Sequence, residues 1–170
     1  MQIIGMGCIL VATTLCGIFF GNLVGYRISD LKQLQLAITM LKAEIGYTLT
    51  PLPVACKQIA DKVNEPISSI FNNLYEALDT NETTVKEAFE HALKENIKGT
   101  YLEKEDVEAI LALGKSLGYL DKEMQLNNID LMLGYIDQKI QELNPVYTKN
   151  KKMYQTLGAM AGLLIVVIFI

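Results

Sequence analysis

The sequence predicts an all-α protein, a helical bundle of about six helices flanked by an N-terminal and a C-terminal transmembrane helix. Apolar residues recur at intervals of three and four through the middle of the chain, the helical period, and no stretch alternates as a strand does. Both ends are apolar and uncharged over lengths that cross a bilayer. All fifteen Lys and Arg and all nineteen Asp and Glu fall between Arg27 and Lys152, so the formal net charge of −4 belongs to the middle of the chain. The expected domains are a transmembrane helix at 1–26, a cytoplasmic helical-bundle domain at 27–152 and a transmembrane helix at 153–170.

The first element carries no charged side chain from Ile3 to Tyr26. At about 1.5 Å per residue it reaches roughly 36 Å, enough to cross a hydrocarbon core of about 30 Å. A cleaved signal peptide fits less well, because Met1 and Gln2 supply no side-chain charge, and Leu15 before Cys16 does not suit a lipoprotein site. Gly17, Gly21 and Gly25 recur every four residues, and in lipid small residues at that spacing let helix backbones approach closely. Asn22 beside them can add an interhelical hydrogen bond worth roughly 1 kcal/mol.

Leu31, Leu34, Ile38, Leu41 and Ile45 form the inward stripe of an amphipathic helix leading from the membrane. Thr50 and Pro51 read as N-cap and first residue of the next helix, with Leu52, Ala55, Ile59 and Val63 inward. Asn64, Glu65 and Pro66 end it and open a third, with Ile67, Ile70, Phe71, Leu74 and Leu78 inward. After the turn "DTNET", Thr84 and Glu87 make a capping box ahead of Val85, Ala88, Phe89, Ala92 and Leu93, and Gly99 ends that stretch. The fifth helix, "LEKEDVEAILALGKSLG", stops at Gly118; its acidic start, Glu103, Glu105, Asp106 and Glu108, suits the positive end of a helix. Asp121 caps a sixth, with Leu126, Ile129, Leu133, Ile136, Ile140 and Leu143 inward. The last span, Met153 to Ile170, repeats the small-residue spacing at Gly158 and Gly162.

Orientation follows from the flanks. Arg27, Lys32 and Lys42 follow the first span and Lys139, Lys149, Lys151 and Lys152 precede the second, which places the middle domain in the cytoplasm.

No chemistry assembles from the remaining residues. "ALGKS" at 112–116 lacks the earlier glycine of a phosphate-binding loop, since Ala109 stands there, and it lies within a helix pattern. His91 is the single histidine, and Cys8, Cys16 and Cys56 are scattered, so no catalytic, cofactor-binding or metal residues are expected. The acidic balance and the lack of a basic stripe argue against nucleic acid.

Three blocks, "LKAEIGYTLTPLP" (41–53), "LEKEDVEAILALGKSLGYLDKEMQL" (102–126) and "NKKMYQTLGAMAGLLIVVIFI" (150–170), resemble the stage III sporulation protein AB family. The matching positions are Glu44, Tyr47, Thr50, Pro51, Leu52 and Pro53, then Asp106, Leu113, Gly114, Ser116, Leu117, Gly118, Asp121 and Gln125. Gly46 departs from the family's larger residue.

The family is similar to the inner-membrane platform protein of type II secretion and type IV pilus machines. The resemblance implies a non-enzymatic part of a mother-cell-to-forespore channel complex in sporulation, in the outer forespore membrane with its domain on the mother-cell side. Its implied partners are a cytoplasmic secretion ATPase and other membrane subunits, with homo-oligomer formation also open. Partner contacts are expected at Glu44, Tyr47, the Thr50–Pro53 corner, Gly114, Gly118, Asp121 and Gln125, and membrane packing at Gly17, Gly21, Asn22, Gly25, Gly158 and Gly162. The competing expectation is a membrane-anchored helical sensor or adaptor that binds a regulator or small ligand.

Overall fold

Six α-helices succeed one another in the computed structural model: α1 (Gln2–Ala43), α2 (Leu52–Ala60), α3 (Ile67–Asp79), α4 (Val85–Asn96), α5 (Lys104–Leu117) and α6 (Lys122–Phe169). A π-helical turn, Glu44–Thr48, follows α1, and a 3-10 turn, Ile97–Gly99, follows α4. The structure describes residues 2–48, 50–80, 83–118 and 121–169, with side chains for these except 2–10, 159, 163 and 166–169. No strand occurs among the described residues. Asn81 and Glu82 of the "DTNET" turn, and Tyr119 and Leu120 after Gly118, lie outside them.

The chain divides into two compact units, Met1–Ile28 with Gln141–Ile170, and Ser29–Ile140. The bundle's outer helices are therefore not separate elements beside the apolar ends: α1 and α6 each run unbroken from one unit into the other. An α-helix satisfies its backbone within itself, so neither helix needs a break where one unit gives way to the other.

In the Ser29–Ile140 unit, α2 packs on α3, α3 on α4 and α4 on α5. α3 buries Ile67, Ile70, Phe71, Leu74 and Leu78, the stripe that its periodicity predicts, and α4 buries Ala88, Phe89, Ala92 and Leu93, with Val85 of its expected stripe half-buried. The five α3 side chains give an upper bound of roughly 8 to 15 kcal/mol of burial, before ordering entropy is set against it. From α1, Leu31, Leu34, Ile38 and Leu41 are buried, whereas Ile45, in the π-turn, is half-buried. From α6, Ile129, Ile136 and Ile140 are joined by Met132, while Leu126 and Leu133 are half-buried.

Local polar groups fix the helix starts. The Thr84 hydroxyl accepts from the Glu87 N–H at 3.3 Å, and the Thr84 N–H donates to the Glu87 carboxylate at 2.9 Å, the reciprocal capping box. Asp121 Oδ1 accepts from the Glu123 N–H at 3.0 Å, so α6 is capped as expected. At α2 the cap differs from expectation: Pro51 keeps an extended ψ of 138°, so it is the N-cap and Pro53 enters the first turn, while the Thr50 hydroxyl donates to Glu44.

In the other unit, α1 and α6 pack antiparallel through their glycines. A methyl group added at Gly17 would stand 2.6 Å from the Tyr154 carbonyl oxygen and 3.2 Å from Gly158 Cα, and one added at Gly158 would stand 2.9 Å from the Thr13 carbonyl oxygen. Farther along, a methyl group added at Gly21 would stand 3.2 Å from Lys151 Cα, and one added at Gly25 would stand 2.7 Å from the Tyr147 ring. Pro145, within α6, removes one donor from the helix ladder.

Candidate functional site

The π-turn after α1 builds a polar corner around one carboxylate. Thr50 Oγ1 donates to Glu44 Oε2 at 2.6 Å, Thr48 Oγ1 donates to the same oxygen at 2.7 Å, and the Thr50 N–H reaches the Glu44 carbonyl at 3.3 Å. These hydroxyls, Thr50 first and then Thr48, hold the Glu44 carboxyl below the usual carboxylate range. Gly46 sits inside the turn, where its carbonyl accepts from Lys122 Nζ at 2.7 Å. Pro51 and Pro53 then set the direction of α2 by fixing their own φ.

Between the corner and the start of α6 lies a cleft of about 240 Å³ lined by Ile45, Thr50, Leu52, Leu117, Lys122 and Gln125. The fold thus brings together two stretches far apart in sequence, around Thr50 and Leu52 and around Gln125. Gln125 Nε2 donates to the Leu117 carbonyl at 3.0 Å, bracing the far wall. Tyr47 projects from the π-turn with 89 % of its surface exposed. A single π-turn interrupting helical geometry is a frequent mark of a functional site.

The other expected contact residues divide between surface and core. Gly118 is exposed at the end of α5 and Asp121 is exposed at the start of α6. Gly114 is buried, and a methyl group there would meet Phe89 Cγ at 2.5 Å, so its place is in the packing of α5 on α4. Gly17, Gly21, Gly25 and Gly158 line the contact of α1 with α6, Gly162 is buried, and Asn22 Oδ1 lies 3.5 Å from the Tyr147 hydroxyl.

Three polar residues matter more than their types announced. Asp106 is fully buried: the Tyr135 hydroxyl donates to its Oδ1 at 2.8 Å and the Glu103 N–H to its Oδ2 at 2.8 Å. An acceptor at the N-cap with Asp three residues later is the local signal that could have found it. Asp30, also buried, accepts from the Tyr101 N–H at 2.7 Å; burial raises its pKa and that hydrogen bond opposes the rise. Lys122, which closes the cleft, carried no pattern of its own.

The nucleophile and base candidates are separated. Cys56 is buried on α2, where desolvation pushes its thiol up to about 12, so it stays protonated at neutral pH. His91, on α4, faces Glu95 at 3.5 Å on an exposed surface. Among the described residues no group of His, Cys, Asp and Glu could hold a metal ion.

A small all-α bundle, continuous through its first and last helices with a glycine-packed apolar pair, is the class these features define. Residues 2–170 match the stage III sporulation protein AB family, and the chain belongs to that family. It is 32 % identical over 168 residues to stage III sporulation protein AB of Bacillus subtilis (strain 168), covering 99 % of this chain and 98 % of that protein. A solved structure of stage III sporulation protein AB (SpoIIIAB) is similar with a TM-score of 0.69 at 30 % identity, covering 72 % of this chain and 97 % of the other. The family is one of sporulation proteins.

Proposed function

We propose that this sporulation protein is a non-enzymatic membrane platform component of a secretion-like channel complex between mother cell and forespore. In this reading α1 and α6 cross the membrane, the 29–140 unit faces the mother-cell cytoplasm, and a cytoplasmic secretion ATPase docks on the π-turn corner. Other membrane subunits pack against the outer faces of the two spans.

Tyr47 carries the docking. An aromatic ring that contributes nothing to its own core, beside a polar corner and a shallow cleft, has the chemistry of an interface anchor. Support for membrane insertion is that a helix within Val11–Thr48 is long and apolar enough to cross. Its unit also leaves Leu15, Phe19, Phe20, Leu157 and Leu164 exposed, as lipid-facing side chains are. The sensor reading requires a ligand-sized cavity, and at about 240 Å³ the corner cleft falls below the roughly 300–1,000 Å³ of ligand pockets.

Co-purification of the full chain with the ATPase tests the docking. Tyr47→Ala should weaken capture by roughly 30-fold or more, equivalent to about 2 kcal/mol at an anchor residue, with the melting temperature unchanged. The triple change of Thr50, Pro51 and Pro53 to alanine separates surface from scaffold. Retained folding with lost capture supports the corner as a contact; undiminished capture by both variants contradicts it.

A further inference from the structure

The pairing of α1 with α6 fixes a register between their charged ends. Gly21 lies against the backbone of Lys151, so the lysines at 149, 151 and 152 are level with Gly21 and Asn22, not with Tyr26 where the uncharged run of α1 ends. A hydrocarbon layer reaching Tyr26 would engulf three ammonium groups, whereas one ending at Phe20 exposes only a few apolar side chains.

The lysines are arranged as a layer requires. Lys149, Lys151 and Lys152 lie within about 4.5 Å of axial rise and, at 100° per residue, point around the helix, which suits a plane of charge better than a single small ion. Lys151 Nζ turns toward Tyr147, 3.3 Å from its hydroxyl and 5.4 Å from its ring centre, away from the apolar end of α6.

Charge is also segregated. The Met1–Ile28 and Gln141–Ile170 unit holds Arg27 and these three lysines against one acid, Glu142, while the Ser29–Ile140 unit holds eighteen acids against eleven bases. An anionic surface would attract the first and repel the second.

We infer that Lys149, Lys151 and Lys152, with Tyr147, form a collar that binds the phosphate groups of anionic lipids and sets Gly21 and Asn22 at headgroup level. This rests on the two-span reading. The test uses the full chain in bilayer discs of phosphatidylcholine mixed with phosphatidylglycerol, with retained lipids counted by native mass spectrometry. Wild type should retain phosphatidylglycerol in preference, and the preference should fall about fivefold per lysine changed to glutamine. Equal retention by wild type and K149Q/K151Q/K152Q overturns the collar, as does loss of retained lipid to millimolar inorganic phosphate. In a chain whose native cysteines are serine, a water-soluble maleimide should label Asn22→Cys and spare Phe19→Cys. Shielding of both overturns the register; labelling of both breaks the two-span reading itself.

Discussion

At Gly17 the α1 backbone stands so close to α6 that a methyl group would meet the Tyr154 carbonyl at 2.6 Å; at Phe89, in the bundle, a whole phenyl ring is buried to 1 % exposure. The apolar pair coheres by removing side chains from the contact, the bundle by filling the contact with them. On the proposed membrane reading, the difference follows from solvent. In water, large apolar side chains gain by leaving it; in lipid that gain is absent, and close backbone contact is what remains. Opposite substitutions should therefore harm the two units.

The largest effect is expected from truncation in the bundle. Phe89→Ala should destabilise it by about 3–5 kcal/mol in denaturant titrations of the detergent-solubilised full chain. Enlargement in the pair comes next: Gly17→Val should weaken the α1–α6 contact by about 1–3 kcal/mol, read as faster amide exchange over residues 11–28, with the bundle's exchange unchanged. Gly114→Ala sharpens the contrast, because a methyl group there would stand 2.5 Å from Phe89 Cγ, and the change should behave like one at Gly17 although it lies in the bundle.

Smaller effects come from the surface of the bundle. Thr84→Ala should cost about 1 kcal/mol by removing the α4 cap, lowering the bundle's melting temperature and leaving the pair untouched. The smallest is a pH dependence. Hydrogen bonds from Thr50 and Thr48 lower the folded pKa of Glu44, so its contribution is complete above the unfolded value and is lost as pH falls through the folded one. Glu44→Gln should flatten that acid limb of the stability profile.

Much of the bundle was legible because its signals are local. The inward stripes of α3 and α4, the Thr84–Glu87 box and the Asp121 cap each depend on residues within a turn or two of one another. The continuity of α1 and α6 was not legible: hydropathy changes at Arg27 and Lys152, but the helix has no reason to change there. Thr50 had the right chemistry for a cap, but Pro51 stays extended and the helix begins one residue later, leaving the Thr50 hydroxyl to donate to Glu44.

The candidate site was harder to read for the same reason. Glu44, Tyr47 and the Thr50–Pro53 run form one local unit, but their meeting with Leu117, Lys122 and Gln125 is tertiary, and only the resemblance placed both stretches under suspicion. Gly114 shared a pattern with surface residues, and its burial against Phe89 depends on how α5 packs on α4.

Protease accessibility tests most directly whether the glycine-packed pair is the membrane part and the side-chain-packed bundle the cytoplasmic part. Intact protoplasts should protect the 29–140 segment, whereas inside-out vesicles should expose it to cleavage and keep both apolar fragments through an alkaline wash. Cleavage within that segment in intact protoplasts, or release of the fragments by the wash, would contradict it.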